Sequence, residues 1–162
     1  MTTQEIIDEF LPKLKIEYQL EYLKLTKNYL WKFIKNPKNT EAVFQFFVVR
    51  LLRQNGYTVV VNEKSGNKSN FEQLLYKVVG NKSGVSDIFV QSKNPNIKGY
   101  YLELKKSKSE IYKKDGSIRK LSSTKLNQKI FIEICIENGY FATFLYPENI
   151  KNVFFEYFKI KI

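Results

Sequence analysis

The segment from Glu41 to Gln54 constrains this chain more than any other. It contains Val43, Phe46, Phe47, Val48, Val49, Leu51 and Leu52. Thr40 supplies a helix N-cap and Asn55-Gly56 a helix terminator, so the segment reads as a helix. A helix that is apolar on most of its sides cannot rest on a surface and must be covered all round. The other elements of this 162-residue chain must therefore wrap it. That length suits one domain with a real core, and 43% apolar residues are enough to build it.

The covering elements can be read in order. Residues 3–35 are expected to be helical: Thr3 caps Gln4–Leu11, Pro12 breaks the pattern, and Leu14 to Ile34 repeats apolar residues at spacings of three and four. Asn36-Pro37-Lys38-Asn39 stops this stretch. Tyr57–Val61 is a β-branched strand and Asn62–Asn70 a polar loop. Phe71–Val79 is ambiguous between strand and short helix, and Gly80–Gly84 is another turn. Ser86–Gln91 and Gly99–Lys106 form a strand pair around the turn Ser92-Lys93-Asn94-Pro95-Asn96. Ser107–Lys120 is a charged loop, expected to be mobile. Ser122 or Ser123 caps a helix over Thr124–Glu137, ended by Asn138-Gly139. Tyr140–Tyr146 is a strand, Pro147 opens a short helical or turn element, and Val153–Ile162 is expected to be a last strand. The fold class implied is α/β: a small mixed sheet flanked by helices, with residues 1–36 as a helical extension before a main domain of residues 37–162.

What is missing narrows the chemistry. The chain has no histidine, which removes Ser-His-Asp hydrolysis and zinc sites built on Cys and His. Its one cysteine, Cys135, lies in the apolar run Ile130–Ile136 and reads as a buried free thiol of a reducing compartment. No apolar run approaches the ~20 residues of a membrane helix. The acidic and polar stretch Met1–Asp8 is unlike a secretory signal. An intracellular protein, cytoplasmic or nuclear and not secreted, is expected, with no membrane partner and no small-molecule cofactor.

The formal net charge is +11. Only Arg50, Arg53 and Arg119 are arginines; the rest of the basic residues are lysines, a bias that an AT-rich genome also produces. Their placement is not random. Between Lys93 and Lys129 eleven basic residues stand against three acidic ones, Glu103, Glu110 and Asp115. Codon bias does not predict such clustering, and attraction to a polyanion does.

Inside the clustered stretch lies Glu103-Leu104-Lys105, the one Asp/Glu-x-Lys of the chain. Side chains alternate along a strand, so Tyr101, Glu103 and Lys105 share one face and Tyr100, Leu102 and Leu104 the other. The hairpin brings Asp87, at the start of one strand, near Glu103, toward the end of its neighbour. Two adjacent carboxylates are hard oxygen ligands suited to Mg²⁺ or Mn²⁺. A nearby lysine can orient or deprotonate an attacking water, or stabilise a developing oxyanion. The competing reading is a solvated strand face with a weak ion pair. Tyr100, Tyr101 and Tyr112 could stack on bases, but core or rim packing is the better expectation for most of the aromatics.

Gly84-Val-Ser-Asp87, Glu103-Leu-Lys105 and a following helix bearing Gln128 resemble the PD-(D/E)XK nuclease superfamily, most closely its virus-type replication-repair nuclease (VRR-NUC) branch. The likeness covers residues 40–146 and departs in having Ser86 where proline is usual before the metal aspartate. The resemblance implies a restriction-endonuclease-like core and a Mg²⁺- or Mn²⁺-dependent DNA endonuclease, with selectivity for branched DNA such as Holliday junctions, a place in DNA repair, and the option of a homodimer. It implies metal binding by Glu41, Asp87, Glu103 and the backbone carbonyl of Leu104. Asp87, Glu103, Lys105 and Gln128 would be catalytic, and Lys106, Lys108, Lys125 and Lys129 would contact phosphates. Gln45, one turn after Glu41, is a weaker substitute for it. A restriction-type or mobile-element endonuclease, and a non-catalytic nucleic-acid-binding module on the same fold, are the alternatives.

Overall fold

The computed structural model describes residues 1–28, 40–62 and 86–162, and every element below belongs to them. Helix α3, Thr40–Gln54, is the buried helix expected: every residue from Ala42 to Leu52 is buried. It ends where Gly56 adopts φ +76°, and the Tyr57 N–H turns back to the Leu52 carbonyl at 3.1 Å.

Two layers cover α3. On one side are α1, Thr3–Phe10, and α2, Ile16–Asn28, joined through a single turn of 3-10 helix at Leu11–Lys13 that contains Pro12. Ile6, Phe10, Leu14 and Tyr22 share one core with Phe44, Phe46 and Phe47 of α3. The cap of α1 is Thr2, not Thr3. Thr2 Oγ1 accepts from the Glu5 N–H, and Glu5 accepts from the Thr2 N–H in return. Thr3 is buried instead, its hydroxyl 2.6 Å from that of Thr40.

On the other side is a four-stranded sheet in the order β1-β2-β3-β4: Val59–Val61, Ile88–Gln91, Gly99–Leu104 and Phe141–Leu145. The first two pairings are antiparallel and the third parallel. The parallel pair needs a crossover, and α4, Ser123–Glu137, supplies it, capped by Ser122 and closed by Gly139 at φ +83°. The Lys98 N–H donates to the Gly139 carbonyl, so the C-terminal end of α4 lies at the start of β3. Its N-terminal half therefore covers the end of β3. At the hairpin Gly99 admits the ring of Phe89: a Cβ there would sit 2.5 Å from Phe89 Cε2.

The last expected strand is a helix. Residues Ile150–Phe158 form α5, with Ile150, Val153, Phe154 and Phe158 buried. These spacings of three, one and four follow a period of 3.6, not two, and the apolar run had hidden it. The loop after β3 is also more ordered than its charge suggested. The Lys106 N–H donates to Glu110 Oε1, Lys108–Glu110 make a 3-10 turn, and Tyr112 bridges Ile118 across the Asp115-Gly116 turn. The expectations for residues 29–39 and 63–85, including the stop at Asn36-Pro37-Lys38-Asn39 and the segment Phe71–Val79, lie outside the described residues.

The helical period of α5 makes a direct prediction. Phe154 is fully buried and Phe155 is 58% exposed. Phe154→Ala should cost about 3–5 kcal/mol in urea unfolding, and Phe155→Ala less than about 0.5 kcal/mol.

Candidate active site

Both faces of β3 are covered. Tyr100, Leu102 and Leu104 enter the large core with α3 and α5. Tyr101 packs on the second core, built from Ile111, Ile132, Cys135, Ala142, Phe144 and Tyr146. Tyr101 meets Phe89 of β2, Phe131 of α4 and Tyr140, with ring centroids 4.9, 5.4 and 5.2 Å away. Tyr100 stacks on Phe158 and Tyr112 packs on the second core. All three tyrosines are thus packing residues.

Glu103 and Lys105 continue the face of Tyr101 beyond this aromatic layer, and they are buried. Glu103 is 4% exposed, Lys105 3% and Asp87 4%. The solvated-face reading of Glu-x-Lys therefore does not hold. Ile88 pairs with Leu102, so the next step of that register sets Asp87 opposite Glu103, on the same face. Asp87 Oδ2 accepts the Leu104 N–H at 2.7 Å. Lys105 Nζ donates to Glu103 Oε1 at 2.9 Å and to the Leu104 carbonyl at 2.8 Å, and stands 5.7 Å from the centroid of the Phe144 ring. The three side chains and the Leu104 peptide form one hydrogen-bonded cluster at the end of β3.

Asn62 helps to hold it and was not singled out in the sequence. Its N–H donates to the Asp87 carbonyl at 2.9 Å and its side-chain amide to the Ser86 carbonyl at 2.5 Å. An asparagine directly after a β-branched strand reads as a loop start, and nothing in the sequence ties it to a residue 25 positions later. Gly84 and Val85 of the Gly-x-x-Asp pattern lie outside the described residues.

Gln128 projects from the N-terminal half of α4, one turn before Phe131 and Ile132. Phe131 touches Tyr101 of β3, its ring centroid 5.4 Å away. The Oε1 of Gln128 is buried without a hydrogen-bond partner, as are Gln45 Nε2 and Ser86 Oγ. Glu41 opens α3, whose first residue, Thr40, lines a cleft of about 540 Å³ with Met1–Gln4, Lys106 and Ser107. Among the described residues no group of three Asp, Glu or Cys side chains that could hold a metal ion is found.

The Asp87 and Glu103 carboxylates and the Leu104 carbonyl, linked in one buried cluster, are oxygen donors of the kind that a hard divalent cation takes. Of the lysines expected at phosphates, Lys106 and Lys108 are exposed beside the cluster. Lys125 pairs with Glu110 at 3.1 Å and Lys129 with Glu133 one turn on, so these two are engaged within the protein. No helix among the described residues is long and apolar enough to cross a membrane. Comparison of the chain with family models, characterised proteins and solved structures finds no match.

Cys135 is a free thiol, 6% exposed, and burial pushes its pKa up. Little thiolate forms at pH 8, so iodoacetamide should label native protein much more slowly than urea-unfolded protein. Because the folded pKa is the higher one, the thiol's contribution to stability is present below the unfolded value and is lost as pH rises through the folded value.

Proposed function

We propose that this protein is a divalent-metal-dependent nuclease that hydrolyses DNA phosphodiester bonds at Asp87, Glu103 and Lys105. The observation that carries the reading is the burial of these three side chains together at the end of β3. A buried ion pair rarely stabilises a fold more than apolar side chains of equal volume would. Stability alone thus gives no reason to place two carboxylates and an ammonium where Leu or Val would fit. Chemistry at a phosphate does.

Asp87, Glu103 and the Leu104 carbonyl would hold Mg²⁺ or Mn²⁺, which supplies Lewis acidity at the phosphate and a more acidic water. Lys105 would stabilise charge as it develops on the phosphoryl oxygens. Gln128 Oε1 would accept a hydrogen bond from the attacking water and orient it. Glu41 would complete the metal site through water or directly. The exposed Lys106, Lys108, Lys113 and Lys114 would receive the phosphates that flank the cut. A preference for branched DNA belongs to this reading through the VRR-NUC resemblance.

The homodimer that symmetric cutting of two strands requires has a suitable face on α4. Leu126, Ile130 and Ile134 lie four residues apart on its outer side and are 47%, 44% and 51% exposed. Beside them run Lys125, Lys129, Glu133 and Glu137, basic toward the N-terminus and acidic toward the C-terminus. That order is unfavourable for the helix's own dipole. It would be self-complementary in two antiparallel copies, with Lys125 and Lys129 exchanging Glu110 and Glu133 for carboxylates of the other copy. Ile130→Glu should shift the protein toward monomer in analytical ultracentrifugation.

Cleavage assays on linear, flapped and four-way DNA test the main reading. Cutting should require Mg²⁺ or Mn²⁺ and fall about 100-fold or more in Lys105→Ala and Glu103→Ala, with binding retained. Binding without cutting on every substrate would leave only a non-catalytic nucleic-acid-binding module.

A further inference from the structure

Lys105 is bonded to two of the groups that a metal would need. Its ammonium donates to Glu103 Oε1 at 2.9 Å and to the Leu104 carbonyl at 2.8 Å, and it is as buried as they are. Asp87 and Glu103 together carry two negative charges in a spot almost closed to water. Without a metal, Lys105 is the cation seen bonded to Glu103 there. Burying the Glu103 carboxylate with no cation beside it would be far costlier.

A divalent ion changes that balance. With the ammonium still in place, the ion would share its ligands with a like charge a few ångströms away, where repulsion is strong and poorly screened. Resting on the metal-dependent reading of the site, we infer that Lys105 is the internal counter-ion of the metal-free protein and that a divalent cation must displace it to bind. The two cations are alternative occupants of one ligand set. Metal entry releases the ammonium from Glu103 and the Leu104 carbonyl, and the released ammonium is then free to meet a phosphate. Loading the ion and deploying the lysine are one event, so the lysine is withheld from substrate until the metal is present.

This arrangement also accounts for the place of Leu104. Its N–H donates to Asp87 Oδ2 and its carbonyl accepts from Lys105 Nζ, so the two peptides that flank its Cα are each held by a charged group. Exchange of the ammonium for a metal leaves the N–H contact and the strand geometry intact. The switch therefore needs only the rotation of one lysine side chain and no movement of β3.

Mn²⁺ binding, followed by the electron paramagnetic resonance of the free ion, tests the competition. Lys105→Met should bind Mn²⁺ about tenfold or more tighter than the wild type, because the competing charge is gone. Glu103→Gln should bind much more weakly than either. Affinity of Lys105→Met equal to or below that of the wild type would overturn the displacement while leaving the metal site standing. Equal binding, or none, in all three proteins would remove the metal site itself. If Lys105→Met fails to fold without metal, the wild type carries the test by amine labelling read by mass spectrometry. Lys105 should be protected in metal-free protein and become reactive at saturating Mg²⁺. Protection that persists under saturating Mg²⁺ would sink the proposal.

Discussion

Strand β3 has no free face, and the rest of the molecule is arranged around that fact. Its apolar side chains on one side enter the core of α3, and Tyr101 on the other is covered by α4. The strand therefore ends in a place where Glu103 and Lys105 must be buried. The charges satisfy one another and the backbone there. Lys105 N–H still donates to Leu145 of β4, but the ladder to β2 stops, and the Asp87 carboxylate takes the Leu104 N–H. A side chain thus completes the sheet edge where the backbone pairing runs out. Leaving that N–H unpaired in a buried setting would cost about 1–3 kcal/mol.

The legible part of this fold is local. Thr40 through Gly56, the hairpin around Asn94-Pro95, the helix capped at Ser122 and the strand after Gly139 all carry their own start and stop chemistry. The alternation of Tyr101, Glu103 and Lys105 against Tyr100, Leu102 and Leu104 is also exact enough to assign faces, and Phe89 pairs with Tyr101 as that alternation requires. Alternation cannot say whether a second face is covered. The second core on the Tyr101 face is built from Ile132 and Cys135 of a helix that begins some twenty residues later, and from Ile111 in a charged loop. The site's residues could be picked out from spacing; their burial could not. The Val153–Ile162 segment failed for the opposite reason. So many of its residues are apolar that a period of two and one of 3.6 fit almost equally well, and only packing against Tyr57, Tyr100 and Phe141 decides.

The basic stretch divides once its partners are known. Lys105 is spent on the buried cluster, Lys125 on Glu110 and Lys129 on Glu133. Lys93 lies over the ring of Tyr57 at 4.1 Å and Lys98 near that of Tyr140 at 5.8 Å, both at the opposite end of β3 from the cluster. Among the described residues of this stretch, Lys106, Lys108, Lys113, Lys114, Arg119 and Lys120 are exposed. Part of the clustering that suggested a polyanion is therefore structural pairing, and the part that is not follows directly after Lys105 in the chain. The Tyr112–Ile118 bridge holds that part in a fixed turn. On the proposed function, a phosphate attracted to these cations would be drawn toward Asp87, Glu103 and Lys105. Surface charge and buried charge would then act in sequence: the exposed lysines would concentrate the polyanion, while Glu103 and the Leu104 carbonyl hold the buried one.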